Sequence, residues 1–328
     1  MKTRIKVCLL SVAILTSLLM TGCVSMKLNM ENYADPLREF TLEGDGPEKV
    51  LVIPINGVIS DTEQREMIRK QPSLIKEVVS QIKKAEQDPG VRAIVLKVNS
   101  PGGTVTGSDI LYNELKKMKM KRDIQLVVCM MDIATSGGYY VSLPADHIVA
   151  HPTTITGSIG VVFIRPKLNG LLKKIGVSVE TSQSGQDKDM GSPFRPTTDG
   201  EQELLQAMID EMADLFRSKV VKHRNIDDKV IKEIMTAKPY TAKQALALGL
   251  IDQIGYIDDA IEKAKELASL ASYSRVVMYR RVEYADDNIY NNITARSGSG
   301  GSVLDLGPLN QLSKLNAGFY YTWHAATE

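Results

Sequence analysis

The amino-acid sequence predicts an α/β fold with a mainly parallel sheet. Three observations carry that expectation. Strand-like and helix-like stretches alternate from residue 50 onward, the pattern of parallel strands joined by helical crossovers. The runs Val91–Val98 (VRAIVLKV) and Gln125–Met131 (QLVVCMM) are almost continuously apolar, as strands covered on both faces are. Each run breaks into a glycine-rich turn at its carboxyl end, Asn99–Gly103 and Asp132–Gly138, where ligands bind in folds of this kind.

The elements follow in order. Val50–Ile59 reads as the first strand, bent at Pro54 and Gly57. Asp61–Lys70 is charged and reads as a covering loop. Pro72–Gln87 repeats Ile75, Val78, Val79 and Ile82 at helical spacing and stops at Asp88-Pro89-Gly90. After the Val91 strand comes a helix over Ser108–Met120, with Ile110, Leu111, Leu115 and Met118 on one side. The Gln125 strand then runs into Ser136, and Tyr139–Leu143 opens a further helix. His147–Ala150 is a short strand, Leu168–Ile175 a short helix, Val177–Ser182 a strand and Ser184–Pro196 a loop. Thr198 and Glu201 form a capping box for a long helix to about Lys222, and Thr241 with Gln244 caps another that ends at Gly249. Ile257–Leu270 is a last helix and Val276–Tyr279 a last strand. Ala285–Gly301 reads as a flexible linker. The segment Phe319–Trp323 holds the single Trp; it suits docking on another subunit, on lipid, or on its own domain.

Composition sets the outer limits. The chain has 328 residues, 43% hydrophobic and 24% charged, values of a globular protein. Its net charge is +1; without the first 22 residues it has 37 basic against 39 acidic, so nothing in the charge suggests a nucleic-acid partner. Those 22 residues carry Lys2, Arg4 and Lys6, then an apolar run Val7–Met20, shorter than the span of about 20 that a membrane helix needs. The sequence Met20-Thr21-Gly22-Cys23 resembles a bacterial lipoprotein signal, with Met20 where Leu is usual and Cys23 as the lipidated residue. The expected organisation is therefore a signal at 1–22, a tether at 23–49, a single catalytic domain at 50–284, and a linker with an aromatic tail at 285–328. A lipid-anchored protein of the bacterial envelope, facing the periplasm or exterior, follows from it. Val24 in place of Asp leans towards the outer membrane. With Cys8 removed and Cys23 lipidated, only Cys129 remains, so neither an intrachain disulfide nor a cysteine metal set can form, and no cofactor is implied. Cys129, inside an apolar strand, reads as inert core.

Ser136 stands where a strand meets a helix, with Gly137 and Gly138 after it. A hydroxyl there can attack a carbonyl while unpaired N–H groups hold the oxyanion, or it can simply cap the helix. A serine nucleophile needs a base. His147, His151, His223 and His324 all lie outside glycine-rich or small-residue contexts, so nothing points to a histidine triad. A lysine is the other solution, but a free one titrates near 10.4 and must be desolvated to act. Lys188 lies in a small, polar loop, between Asp187 and Asp189, which favour its charged form and argue against a base there, unless the segment is extended and both acids face away from it.

Four motifs occur in order: NSPGG at Asn99–Gly103, ATSGGYY at Ala134–Tyr140, TGSIGV at Thr156–Val161 and SGQDKDMGSP at Ser184–Pro193. Together with ALALGLID at Ala245–Asp252 they resemble the signal peptide peptidase A (SppA) family of serine peptidases, over about Val50–Tyr279. The resemblance implies a ClpP/crotonase-like fold of stacked ββα units. It implies Ser136 as nucleophile, Lys188 as general base, Gly103 and Gly137 as oxyanion donors with Gly102 as an alternative, and Ser158 as the group that orients Lys188. It implies a homo-oligomeric ring in which Lys188 reaches the neighbouring protomer's Ser136, and signal peptides as substrates. Asp187 departs from the family, where an aromatic residue often precedes the lysine, and the lipoprotein-like start replaces the usual membrane-spanning anchor. Two other functions fit the fold. One is a crotonase-like acyl-thioester enzyme, disfavoured by export away from cytoplasmic CoA. The other is a non-catalytic ring lipoprotein acting as a scaffold.

Overall fold

The computed structural model of the chain describes residues 35–65, 70–284, 287–291 and 318–323. The signal at 1–22, Cys23 and His324 lie outside the described residues. The central strands are β1 (Arg38–Glu43), β2 (Lys49–Asn56), β5 (Val91–Ser100), β7 (Gln125–Thr135), β8 (His147–Ala150), β12 (Gln253–Ile254) and β13 (Arg275–Arg280). Their spatial order is β1-β13-β2-β5-β7-β8-β12, every pair parallel except β1 with β13. Two short strands extend this sheet beyond β7: β9 (Ile155–Gly157) pairs with it, and β11 (Pro239–Thr241) pairs with β9. A hairpin of β3 (Gln64–Arg65) and β4 (Lys70–Gln71) stands apart.

The doubly apolar strands are explained by what lies on each face. Leu51, Ile53, Ile94, Leu96, Leu126 and Val128 belong to one core, shared with α1 (Leu74–Gln87), α2 (Val105–Arg122) and α3 (Gly137–Ser142). Val50, Val52, Ala93, Val95, Val127 and Cys129 belong to a second, beneath Ile257, Ala260, Ile261 and Ala264 of the last helix, Ile257–Leu267. Each fully buried aliphatic side chain contributes about 1.5–3 kcal/mol, so the sheet is stabilised from both sides. Cys129 is buried as expected, and burial pushes its thiol up to about 12, where it is unreactive. The unit β5–β6–α2 is a ββα unit: β6 (Gly102–Thr104) leaves the large sheet and joins a small one with β10 (Val162–Ile164) and β14 (Gly318–Thr322), in the order β10-β14-β6.

Four expectations are corrected. The tether range 23–49 is partly folded: Arg38–Glu43 is an edge strand, held against β13 with Phe40 under the buried Arg280 guanidinium at 4.2 Å. Within the linker expected from Ala285, Asp287 and Ile289 are docked: Arg280 pairs with Asp287, and Lys97, buried mid-strand, donates to the Ile289 carbonyl at 2.8 Å. Val177–Ser182 forms no strand and is exposed. Pro72 precedes the first long helix, whose cap is Ser73. Among the described residues no helix is long and apolar enough to cross a membrane.

Candidate active site

Strand β7 delivers Ser136 to the start of α3. The Ser136 N–H donates to the Gly157 carbonyl at 2.7 Å, and its own carbonyl accepts from the Tyr140 N–H at 2.8 Å. Between these two fixed points the residue takes φ 53° and ψ −111°, a conformation that costs a non-glycine residue about 1–3 kcal/mol. Its side chain makes no capping bond. Ser136 is 1% exposed and its Oγ has no partner in the described structure. A buried hydroxyl left unbonded is itself unfavourable. Strain and an orphaned hydroxyl at one residue are features a helix cap would not have.

The glycine-rich turn after β5 lies against this serine. A Cβ on Gly137 would stand 2.4 Å from Ser108 Oγ and 3.1 Å from the Gly103 nitrogen. A Cβ on Gly102, whose φ is +105°, would stand 2.8 Å from the Gly137 nitrogen and 2.0 Å from the Tyr321 carbonyl oxygen. The Gly102 N–H is already engaged, donating to the buried Ser100 Oγ at 3.1 Å. Of the three candidate donors, then, Gly102 is used locally, while the Gly103 and Gly137 amides lie together beside the carbonyl of Tyr321.

Tyr321 belongs to β14, the aromatic segment of the sequence, which packs on its own domain. It pairs antiparallel with β6, Tyr321 opposite Gly103, and with β10 on its other edge, Phe319 opposite Phe163. Its ring is fully buried, stacked on Tyr140 at 5.2 Å and tilted against Phe216 at 4.8 Å, with its hydroxyl donating to the Met212 carbonyl. Tyr140 donates to Asp109 at 2.7 Å, and Tyr112, edge-on to Tyr140, bonds His223 at 2.8 Å. Burial, then the Lys222, Lys119, Lys219 and Lys116 charges, push His223 down to about 4, so it is neutral at ordinary pH. His147 bonds Gln253 and His151 bonds Thr153; with Ser136 Oγ unbonded, no histidine of the described residues serves it.

Lys188 is elsewhere on the chain. It is exposed, in a loop that follows α4 (Asn169–Lys174) and precedes α5 (Asp199–His223). Asp189 is held by Arg195 through two bonds of 2.8 and 2.7 Å, and Arg195 reaches Glu201 in the first turn of α5. Phe216, which lines the aromatic pocket, lies 15 residues after Glu201 on the same helix, about 22 Å along its axis. Ser158, buried at φ 51°, bonds through its backbone to the Lys238 carbonyl at 3.0 Å. The structure thus brings Ser136, Gly103 and Gly137 together and leaves Lys188 of the same chain apart. Ser100, Ser108, Tyr140, Phe216 and Arg195 were not singled out by the sequence. Of these, only Arg195, a cation six residues from an acid on either side, left a signal there.

A parallel α/β body with a strained serine beside converging backbone amides defines a serine hydrolase. Comparison with known proteins agrees. Residues 118–271 match peptidase family S49. The chain is 36% identical over 248 residues to an Enterococcus faecium protein named for signal peptide peptidase SppA, covering 75% of this chain and 72% of that one. It is 29% identical to Protease 4 of Haemophilus influenzae over 80% of this chain, and 30% identical to the chloroplast serine protease SPPA of Arabidopsis thaliana over 71%. It spans only 42% and 34% of those two relatives. A solved membrane-bound stomatin-specific protease, 1510-N, overlaps 66% of this chain and 85% of its own at 18% identity and a TM-score of 0.40. The chain belongs to the SppA proteins of peptidase family S49, and is a serine protease with the α/β fold of that family.

Proposed function

We propose that the protein is a membrane-tethered endopeptidase that cuts extended apolar peptides, such as cleaved signal peptides, with a Ser136–Lys188 dyad completed between protomers. The observation that carries this reading is the buried Ser136 hydroxyl without a hydrogen-bond partner, next in sequence to the Gly137 amide, which packs against the Gly102-Gly103 turn where β14 pairs through Tyr321. An extended chain paired on both edges, with an aromatic ring in an apolar pocket, is how a substrate strand would lie.

In this mechanism Ser136 Oγ attacks the scissile carbonyl carbon as the neutral Lys188 amine takes its proton. The carbonyl oxygen becomes an oxyanion facing the Gly103 and Gly137 N–H groups. The C–N bond then breaks, and Lys188 passes the proton to the departing amine, leaving an ester on Ser136. Water attacks that ester, giving a proton to Lys188, which returns it to Ser136 Oγ as the acid leaves. Ser158 holds the amine in position.

Support for a neighbouring protomer as the source of Lys188 comes from the arm that carries it. None of residues 160–200 is buried, and Leu171, Ile175, Val177, Val179 and Phe194 are all exposed on it. An apolar surface of that kind suits an interface with a second copy. The Cys23 lipid would hold the assembly at the bacterial envelope, facing the periplasm or exterior.

Mass spectrometry of the purified protein incubated with a signal peptide tests the reading. Ser136→Ala and Lys188→Ala should each lower cleavage by at least about a thousandfold, with the assembly intact. A serine-directed phosphonate should label the protein but not Ser136→Ala. Full activity in Lys188→Ala would refute the base assignment.

A further inference from the structure

Lys188 sits between two carboxylates, and an unpaired acid one residue away stabilises an ammonium against the loss of its proton. The geometry of the loop answers half of that difficulty. Arg195 Nε and Nη2 grip both oxygens of Asp189 at 2.8 and 2.7 Å, a two-point pairing that fixes orientation as well as charge. The same guanidinium donates to both oxygens of Glu201, at 3.0 and 2.5 Å. Glu201 is fixed independently: it is 5% exposed, accepts from the Thr198 N–H at 3.0 Å, and donates its own N–H to Thr198 Oγ1 in the capping box of α5. Arg195 holds the Asp189 carboxyl below its ordinary range and, chiefly, holds Glu201 down to about 2, so both are ionised partners of one cation. The backbone of the loop is tied to the same place. Lys167 donates to the Ser192 and Arg195 carbonyls, and the Leu168 and Asn169 N–H groups donate to the Pro193 carbonyl.

We propose that Arg195 is a positioning residue for the base: it occupies the Asp189 carboxylate, so that this acid cannot hold Lys188 as an ammonium, and it fixes the Lys188 loop to the first turn of α5. This rests on Lys188 being the base, as proposed above. The charged groups around the loop are Asp187 and Asp189 within it, Arg165 and Lys167 from the segment before it, and Glu201 from α5. Among the described residues, only Arg195 joins an acid of the loop to the body of α5. Helix α5 also carries Phe216 against Tyr140, so the loop for one site and the pocket wall of another share one rigid element.

The test is the pH dependence of peptide cleavage by the full-length assembled protein and three variants. Arg195→Gln frees the Asp189 charge; it should lower kcat roughly tenfold to a hundredfold with KM within about threefold, and shift the acidic limb of kcat/KM up by about one pH unit. Adding Asp189→Asn to Arg195→Gln should bring the limb back to within about 0.3 pH units of its original position. Asp189→Asn alone should leave the limb in place or lower it. An unmoved limb in Arg195→Gln, or one that the second change does not restore, would make Arg195 a structural brace and overturn the proposal. A KM effect with unchanged kcat would do the same. If Arg195→Gln does not assemble, Asp189→Asn decides: a limb in place or lowered supports the proposal, and a raised one overturns it. Lys188→Ala, run alongside, separates the two levels. An inactive Lys188→Ala with an unmoved limb in Arg195→Gln sinks the positioning role alone, whereas an active Lys188→Ala sinks the dyad itself.

Discussion

Ser136 is held at an unfavourable backbone angle by two hydrogen bonds, one to β9 and one within α3, and its neighbours leave no space for anything but glycine. Gly137→Ala would drive a methyl group to 2.4 Å from Ser108 Oγ and displace an amide that faces the site. The expected result is a fall in kcat/KM of roughly a hundredfold or more, the loss typical of one oxyanion donor. Gly137→Ala with Ser108→Ala should recover part of it; no recovery would mean that the contact with Ser108 is not what matters. Glu201 makes a second prediction at this scale. Its carboxyl, held near 2 chiefly by Arg195 against an ordinary 4.5, adds stability that is fully present above pH 4.5 and lost as pH falls towards 2. Urea melts of the protein and of Glu201→Gln should therefore differ by a constant amount above about pH 5 and converge below it. A gap that persists unchanged at pH 2 would mean Glu201 acts through packing or capping alone. Ser136 and its glycines were legible in the sequence as a strand-to-helix junction that also suits a plain helix cap; their roles came from the motifs shared with the SppA family. The strain at Ser136 was not legible, because it is imposed by the Gly157 carbonyl, distant in the chain. Asp189 read as an obstacle to Lys188 for a similar reason: its partner Arg195 shows only in three dimensions.

At the scale of elements, the strands and helices with two buried faces or a clear apolar stripe were legible, and the exceptions share one cause. Val177–Ser182 has the residues of a strand but pairs with no strand among the described residues. Arg38–Glu43 is mostly polar, yet β13 offers it an edge and Arg280 lies over Phe40, so it pairs. Pairing partners, not local composition, decide such segments. The same holds for β14, whose three readings could not be told apart until β6 and β10 supplied edges on both sides. Because β14 covers the Gly103 edge, it should compete with any peptide that uses that edge. Tyr321→Ala removes the ring from between Tyr140 and Phe216 and weakens the competitor. The apparent KM for a short apolar peptide should fall roughly three- to tenfold with kcat within about twofold, since only the fraction of open sites changes. Steady-state kinetics on a fluorogenic peptide would read this directly, and an unchanged KM would take β14 out of the substrate path.

The whole molecule raises a question that no single chain answers: Ser136 and the Gly103 and Gly137 amides lie together, and Lys188 is on an exposed arm. Glu201, near the lysine loop, and Phe216, at the aromatic pocket, are separated by about 22 Å along α5, so an arm held to Glu201 through Arg195 is anchored at the far end of that helix from the aromatic pocket. Head-to-tail association of identical chains, as proposed above, would resolve this, because each arm would serve the next body and a closed ring would leave no site unserved. Mixing two dead variants distinguishes the cases. Ser136→Ala keeps the lysine and Lys188→Ala keeps the serine. If the two act across an interface, a randomly mixed ring contains junctions where an intact Ser136 meets an intact Lys188. With equal amounts, about a quarter of the junctions are of that kind, so activity should return to about a quarter of the original after unfolding and refolding together. Each variant refolded alone should stay inactive. If serine and lysine instead met within one chain, no mixture could regain activity, because every chain would carry one broken half. Titrating the ratio sharpens the outcome: recovery should follow the product of the two fractions and peak at equal amounts.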